Sequence, residues 1–203
     1  MIELFLKGGP LMYPLLAFSI ITIALIIERG IIIGGAGISK SKLDGVINSI
    51  ESTGITAALE QYKEIRSPLA LFYRKVLLMV EMHKPEIDEW VSIEGARIIR
   101  ALRRHLHLLE LVGKVSPMVG LSGTVLGLTR TFQKVAGLQT MADPSTLAGG
   151  IWEALITTVT GLFVAIPAIL CYHLYENRIK SISFEMKNHI ETIVATLKEK
   201  EQK

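Results

Sequence analysis

Apolar residues are not spread evenly along the chain. They gather in three runs separated by mixed, charged stretches. The first is Leu11 to about Ile33, interrupted near its end by Glu28 and Arg29. The second runs from about Leu108 to Phe132 and the third from about Leu147 to Tyr172. A membrane-spanning helix needs roughly 20 such residues, and each run reaches that length. Three buried core helices would need more soluble protein around them than this chain has. The pattern therefore predicts an all-α integral membrane helix bundle with three transmembrane helices.

Between the first two runs the period changes. Leu43, Val46, Ile47 and Ile50 make one apolar stripe, ended near Gly54, and Leu69, Phe72, Val76 and Val80 make a second that opens near Pro68. Both read as short amphipathic helices. Pro85 suits a first helical position, and Glu86, Asp88 and Glu89 suit the positive end of a helix dipole. No strong breaker follows before Pro117, so one helix is expected from 85 to about 135. It would be roughly 75 Å long, against a bilayer core of about 30 Å. Asp143-Pro144 restarts the chain, and the third helix is expected from about 145 to Lys198. Long helical extensions beyond the membrane follow.

Charge then sets a direction. Residues 34–107 carry eleven Lys and Arg, and the tail after the third run carries Arg178, Lys180, Lys187, Lys198, Lys200 and Lys203. The N-terminal segment has only Lys7 and the second connection only Lys134. The positive-inside rule predicts a periplasmic N-terminus (1–10), spans at 11–33, 108–133 and 147–173, and a periplasmic loop at 134–146. The helical region 34–107 and the C-terminal helix 174–203 fall in the cytoplasm. The first run lacks the basic start and small-residue cleavage site of a signal peptide, so it is expected to be retained. The net charge of +3 is a topology signal, and alternating acids and bases give no nucleic-acid footprint.

Within the spans, polar and small residues align. Gly113, Pro117, Gly120, Thr124, Gly127 and Thr131 recur at steps of four and three, which is one helix face. Ala154, Thr158, Gly161, Ala165 and Ala168 form a second stripe. Close helix packing in lipid uses such stripes, and so would a smooth wall facing another chain's helix. Glu153 is the one acid well inside either run, and ionised acids there cost roughly 2.5–3.5 kcal/mol at mid-bilayer. With Thr157 and Thr160 it makes a polar face beside the stripe. A first-turn glutamate favoured by the helix dipole is the plain alternative. Arg130 can snorkel at the end of its span; a pairing with Glu153 is not legible in sequence. Pro117 and Pro167 each remove a backbone bond and mark candidate hinges.

Several chemistries find no support. His105 and His107 point apart on a helix, the other histidines are isolated, and lone Cys171 can form no disulfide within the chain. No metal site, cofactor motif or hydrolase nucleophile is evident, so no enzymatic activity is expected. A titratable group at mid-depth is also missing, so a proton path would need a carboxylate from a partner helix.

At this point three segments carry a resemblance: GGPLMYPLLAFSIITIALIIER at 8–29, GLSGTVLGLTRTF at 120–132 and EALITTVTGLFVAIPA at 153–168. With the three-span layout they resemble the MotA/TolQ/ExbB proton-channel family, and within it the ExbB/TolQ branch. The resemblance implies a homopentamer in the bacterial inner membrane, around a pair of ExbD/TolR-like single-span subunits whose membrane aspartate carries protons. It implies that proton flow powers a periplasmic or outer-membrane task. By motif position the family's pore threonines match Thr124 and Thr158, and its membrane glutamate matches Glu153. Arg130 and Ser122 depart from the pattern, which bears on pore lining and partner choice. A non-conducting membrane scaffold for an envelope or secretion complex is the alternative, needing only the packing role of the stripes. A solute transporter would show a repeat or a broken helix pair, and neither is seen.

Overall fold

The computed structural model describes residues 8–38, 40–65, 67–82, 87–137 and 144–201. The N-terminal stretch with Lys7, the expected helix opening at Pro85-Glu86, His83 and the loop 138–143 lie outside them. Among the described residues every regular element is a helix. In chain order they are α1 Met12–Ala36, α2 Lys40–Ser52, α3 Ile55–Glu64, α4 Pro68–Glu81, α5 Ile87–Arg103, α6 Leu106–Ala136 and α7 Pro144–Glu201.

The long helix expected from 85 to 135 is two helices. Arg104 and His105 interrupt it, and His105 takes φ +65, the left-handed region, a conformation no other described non-glycine residue adopts. Its Nδ1 lies 3.5 Å from Glu28 Oε2. Left-handed backbone costs an L-residue about 1–2 kcal/mol, so surrounding contacts must hold it. The third helix needs no correction of kind: α7 continues through Pro167 to Glu201.

Contacts divide the chain into two compact units. One holds the chain up to Glu28 with His105–Leu174; the other holds Arg29–Arg104 with the chain from Tyr175 onward.

The second unit is an ordinary helical core. The expected stripes supply it: Leu43, Val46, Ile50, Leu69, Phe72 and Val76 are buried, together with Ile179, Ile182 and Ile193 of α7. Ser67 starts α4 by a mechanism the sequence encodes. Its Oγ accepts from Leu69 N–H at 3.2 Å, with Pro68 at the first helical position, and its hydroxyl donates to Ala36 O at 2.6 Å. One cap thus fixes a helix start and ties it to the end of α1. Trp90 of α5 stacks on Phe72, with ring centroids 5.6 Å apart, and Lys75 Nζ sits 4.7 Å from the Trp90 ring. At the centre His189, 5% exposed, meets Tyr62 Oη at 2.5 Å and packs edge-on against Tyr73. Burial first, outweighing the nearby Asp44 charge, pulls the His189 imidazole down to about 4. Burial also pushes both tyrosine hydroxyls above their usual range.

The first unit is built the other way round. It takes part of each of the three stretches that are long and apolar enough to cross a membrane, Met12–Ala36, Ile87–Ala136 (α5 and α6 together) and Leu147–Thr196. Only 22%, 28% and 33% of their most apolar windows is buried. Tyr13, Ile20, Met118, Leu121, Val159 and Phe163 all point outward, Phe163 at 81% exposure. A water-facing surface this apolar would be untenable for an isolated soluble domain. In a bilayer it is the expected one.

Candidate functional site

The two glycine stripes meet each other inside one chain. A Cβ on Gly120 would stand 2.9 Å from Thr157 O and 3.0 Å from Thr158 Cα. One on Gly161 would stand 2.6 Å from Ser116 O and 3.2 Å from Gly120 Cα. Further along, Gly127 faces Ala154, Gly123 faces the Thr157 side chain, Gly113 faces Ile169 and Gly150 faces Thr131. Here α6 and α7 approach backbone to backbone, which only glycine permits. Ala154, Ala165 and Ala168 are buried alongside. The packing use of Gly120, Gly127 and Gly161 is therefore realised within the chain itself.

The hydroxyls divide by where they donate. Thr124 donates to Leu121 O at 2.7 Å and Thr160 to Ile156 O at 2.8 Å, both within their own helix. Thr157, 2% exposed, donates to Ala154 O at 2.7 Å and leans to Gly120 O at 3.4 Å. Thr158 crosses: its hydroxyl donates to Gly120 O at 3.0 Å. That bond is open to Thr158 because Gly120 brings the backbones together. Interhelical bonds of this kind in membrane proteins are worth roughly 0.6–2 kcal/mol. Thr124 and Thr158 are both half-buried, so neither is closed off within the chain.

Glu153 is half-buried and adjoins two cavities. One, of about 20 Å³, is lined by Gly8, Pro10, Leu11, Gly123, Leu126, Gly127, Arg130 and Glu153. The other, of about 410 Å³, is lined by Gly127, Arg130, Thr131, Lys134, Gly149, Gly150 and Glu153. Arg130 and Glu153 thus share both spaces, although no direct ion pair joins them among the described residues. Sequence reasoning left Arg130 open and passed over Gly9, at φ +69, whose backbone lies against the Glu153 carboxylate. The signal was there: Gly-Gly-Pro marks a tight turn. Pro117 and Pro167 both lie inside continuous helix. Among the described residues no group of three or more His, Cys, Asp or Glu comes together as metal ligands do.

This arrangement offers a carboxylate, a guanidinium and hydroxyls along two tightly packed apolar helices. Comparison with known proteins gives it a lineage. A family model described as the MotA/TolQ/ExbB proton channel family matches residues 49–188. The biopolymer transport protein ExbB-like 3 of Synechocystis sp. is 32% identical over 176 residues, covering 85% of this chain and 83% of that protein. The Tol-Pal system protein TolQ of Pseudomonas aeruginosa is 41% identical over 104 residues, 47% of this chain and 45% of that protein. A chain in the structure of C. jejuni MotAB superposes with a TM-score of 0.61 at 19% identity, over 86% of this chain and 68% of that one. That last likeness is one of fold. The chain belongs to the MotA/TolQ/ExbB proton channel family.

Proposed function

We propose that this chain is the channel-forming subunit of an ion-driven motor. It sits in the bacterial inner membrane with its N-terminus in the periplasm and its C-terminus in the cytoplasm. It assembles as a homopentamer around an ExbD/TolR-like single-span partner carrying a membrane aspartate. Proton flow through the assembly then energises a periplasmic or outer-membrane process, transport among them. The named relatives support the class of task, biopolymer transport for one and the Tol-Pal system for another.

In this reading Glu153 relays protons at one end of the path, with Thr157 and Thr160 beside it. Thr124 and Thr158 are the hydroxyls presented to the partner's carboxylate. Gly120, Gly127, Gly161 and Ala165 keep the wall behind them thin and smooth, and Pro117 and Pro167 act as hinges. The observation that carries the reading is the Glu153 neighbourhood. A carboxylate inside a membrane helix marks an ion pathway by default, and this one borders two cavities with a cation across from it.

The test is proton flux by the co-purified complex reconstituted in liposomes. Glu153→Gln, Thr124→Val and Thr158→Val should each cut flux by at least tenfold while the assembled mass is unchanged. Wild-type flux in all three would remove their assigned roles. Recovery of a homo-oligomer with no small single-span subunit would instead favour a non-conducting scaffold, which needs only the α6–α7 packing.

A further inference from the structure

Two charges stand inside the apolar run of α6, Glu110 and Lys114, toward the end proposed to be cytoplasmic. Lys114 Nζ donates to Glu110 Oε1 at 2.6 Å. Tyr172 of α7 reaches the same carboxylate with its hydroxyl, and His173 stands close by. An exposed pair one turn apart adds little to a helix. Helix stability is therefore a poor reason to set two charges among apolar residues.

Their register says which way they face. Positions 110, 114, 117, 121 and 124 recur at steps of four and three, so Glu110 and Lys114 share a helix face with Thr124. Positions 158, 162, 165, 169 and 172 recur likewise, so Tyr172 shares a face with Thr158. Glu110 lies fourteen positions before Thr124 and Tyr172 fourteen after Thr158, roughly 21 Å along each helix. The helices are still packed at this level, where Gly113 meets Ile169. The cluster thus ends, on the inner side, the same wall that presents the two threonines. Lys114 is exposed and Glu110 and Tyr172 are half-buried, so this part of the wall is open within one chain.

We propose that Glu110 and Lys114 form a charge filter at the inner mouth of the proton path. Around the axis of the homopentamer each copy adds one carboxylate and one ammonium. Rings of side-chain charge set which ions a pore admits. Here every carboxylate is matched by an ammonium one turn deeper, so the mouth carries no net charge to gather sodium or potassium, and the ammonium repels a metal cation that passes the carboxylate. A proton needs no such field, because it can bind the Glu110 carboxylate itself. The pair favours an ion that can be carried in a bond over ions that must be held by charge. The inference rests on the proposed pore-facing role of Thr124 and Thr158.

The test uses the co-purified complex in liposomes loaded with pH- and sodium-sensitive dyes. Lys114→Met leaves carboxylates alone at the mouth and should raise sodium entry by about tenfold, the scale on which a one-sign cleft concentrates counter-ions. Glu110→Gln leaves ammonium groups alone and should cut proton flux severalfold without admitting sodium. The double variant, with neither charge, should exclude sodium again. A sodium-tight Lys114→Met complex of normal assembled mass overturns the filter. So does a double variant as leaky as Lys114→Met, which would mark a packing defect, and so does wild-type proton flux in Glu110→Gln. A second measurement decides if these variants fail to assemble. Lys114→Cys and Leu170→Cys are made singly in a Cys171→Ser background and exposed to a charged maleimide on both sides of the membrane. Leu170 is exposed, seven positions from Phe163 on the outward face of α7. Lys114→Cys should label severalfold faster than Leu170→Cys; equal rates put position 114 in lipid and overturn the filter. Labelling is read without ion flow. A wild-type complex that passes no protons sinks the motor reading, and fast labelling at 114 then still supports a charged inner mouth. A conducting wild type whose Lys114→Met variant stays sodium-tight sinks the filter alone.

Discussion

His189 shows what one side chain can report about a helical core. It is neutral because its surroundings, Tyr62, Tyr73 and α7 itself, leave it almost no water. The unfolded chain takes up a proton near pH 6.5, whereas the folded chain holds out to about 4. Between those values the unfolded state binds more protons, so stability falls as pH falls through that window. The loss is of the order of 3 kcal/mol by pH 4, with the full contribution present above pH 6.5. Thermal melts of detergent-solubilised protein from pH 7.5 to 4 should show this slope, and His189→Gln should flatten it. A wild-type melt independent of pH in that range would refute the assignment. None of this was legible in the sequence, where His189 is isolated and its aromatic neighbours lie 116 and 127 positions away. The membrane hydroxyls were more readable. Thr158 stood out by motif position, but only structure separates it from Thr124 and Thr160 as the one whose principal bond leaves its helix.

Helices were legible where periodicity or hydropathy is strong. The first span and α1, Met12–Ala36, differ by a residue or a few at each end, and the stripes of α2 and α4 fall on buried positions except at Ile47 and Val80, which are half-buried. The short α3 carried too little period to announce itself. The break before α6 was missed for a physical reason: Arg103-Arg104-His105 contains neither glycine nor proline, so propensity predicts helix straight through. His105 is held left-handed by tertiary context, with Glu28 beside it. Glycine takes that backbone without strain and alanine does not. His105→Gly should therefore melt higher than His105→Ala, by the equivalent of about 1 kcal/mol. Equal melting points would mean the backbone relaxes out of the left-handed region. The α6–α7 contact makes a second prediction at this scale. Gly161→Ala places a methyl 2.6 Å from a backbone carbonyl, whereas Gly34→Ala meets nothing within 4 Å. The first should lower the melting temperature and the yield of assembled complex, and the second should leave both near wild type.

For the molecule as a whole, the class was legible in the three apolar runs, and the two units explain why those runs look different inside and out. The core of Arg29–Arg104 with the chain beyond Tyr175 is stabilised by burial, as in any soluble helical protein. The unit with α6 turns many apolar side chains outward and lines the α6–α7 contact with glycine, alanine and hydroxyls, beside buried Leu15, Leu109 and Val164. Membrane direction is a property of the whole chain too, and the proposed one rests on the basic residues of 34–107 and of the tail. A reporter fused to the C-terminus should therefore be active only if it requires the cytoplasm. A periplasm-dependent reporter that lights up at that position would reverse the proposed orientation.

The glycines between α6 and α7 carry one more consequence, for how this sequence can vary. A contact made of missing side chains cannot be improved by adding atoms, and glycine has nothing left to remove. Selection of random variants for activity should thus return a one-sided profile. Positions 113, 120, 123, 127, 150 and 161 should accept almost nothing, while outward Met118, Leu121, Val125 and Phe163 exchange freely among apolar residues. Diversity in this protein is then written on its outer faces, and new partners or new tasks would be acquired there without disturbing the seam beneath.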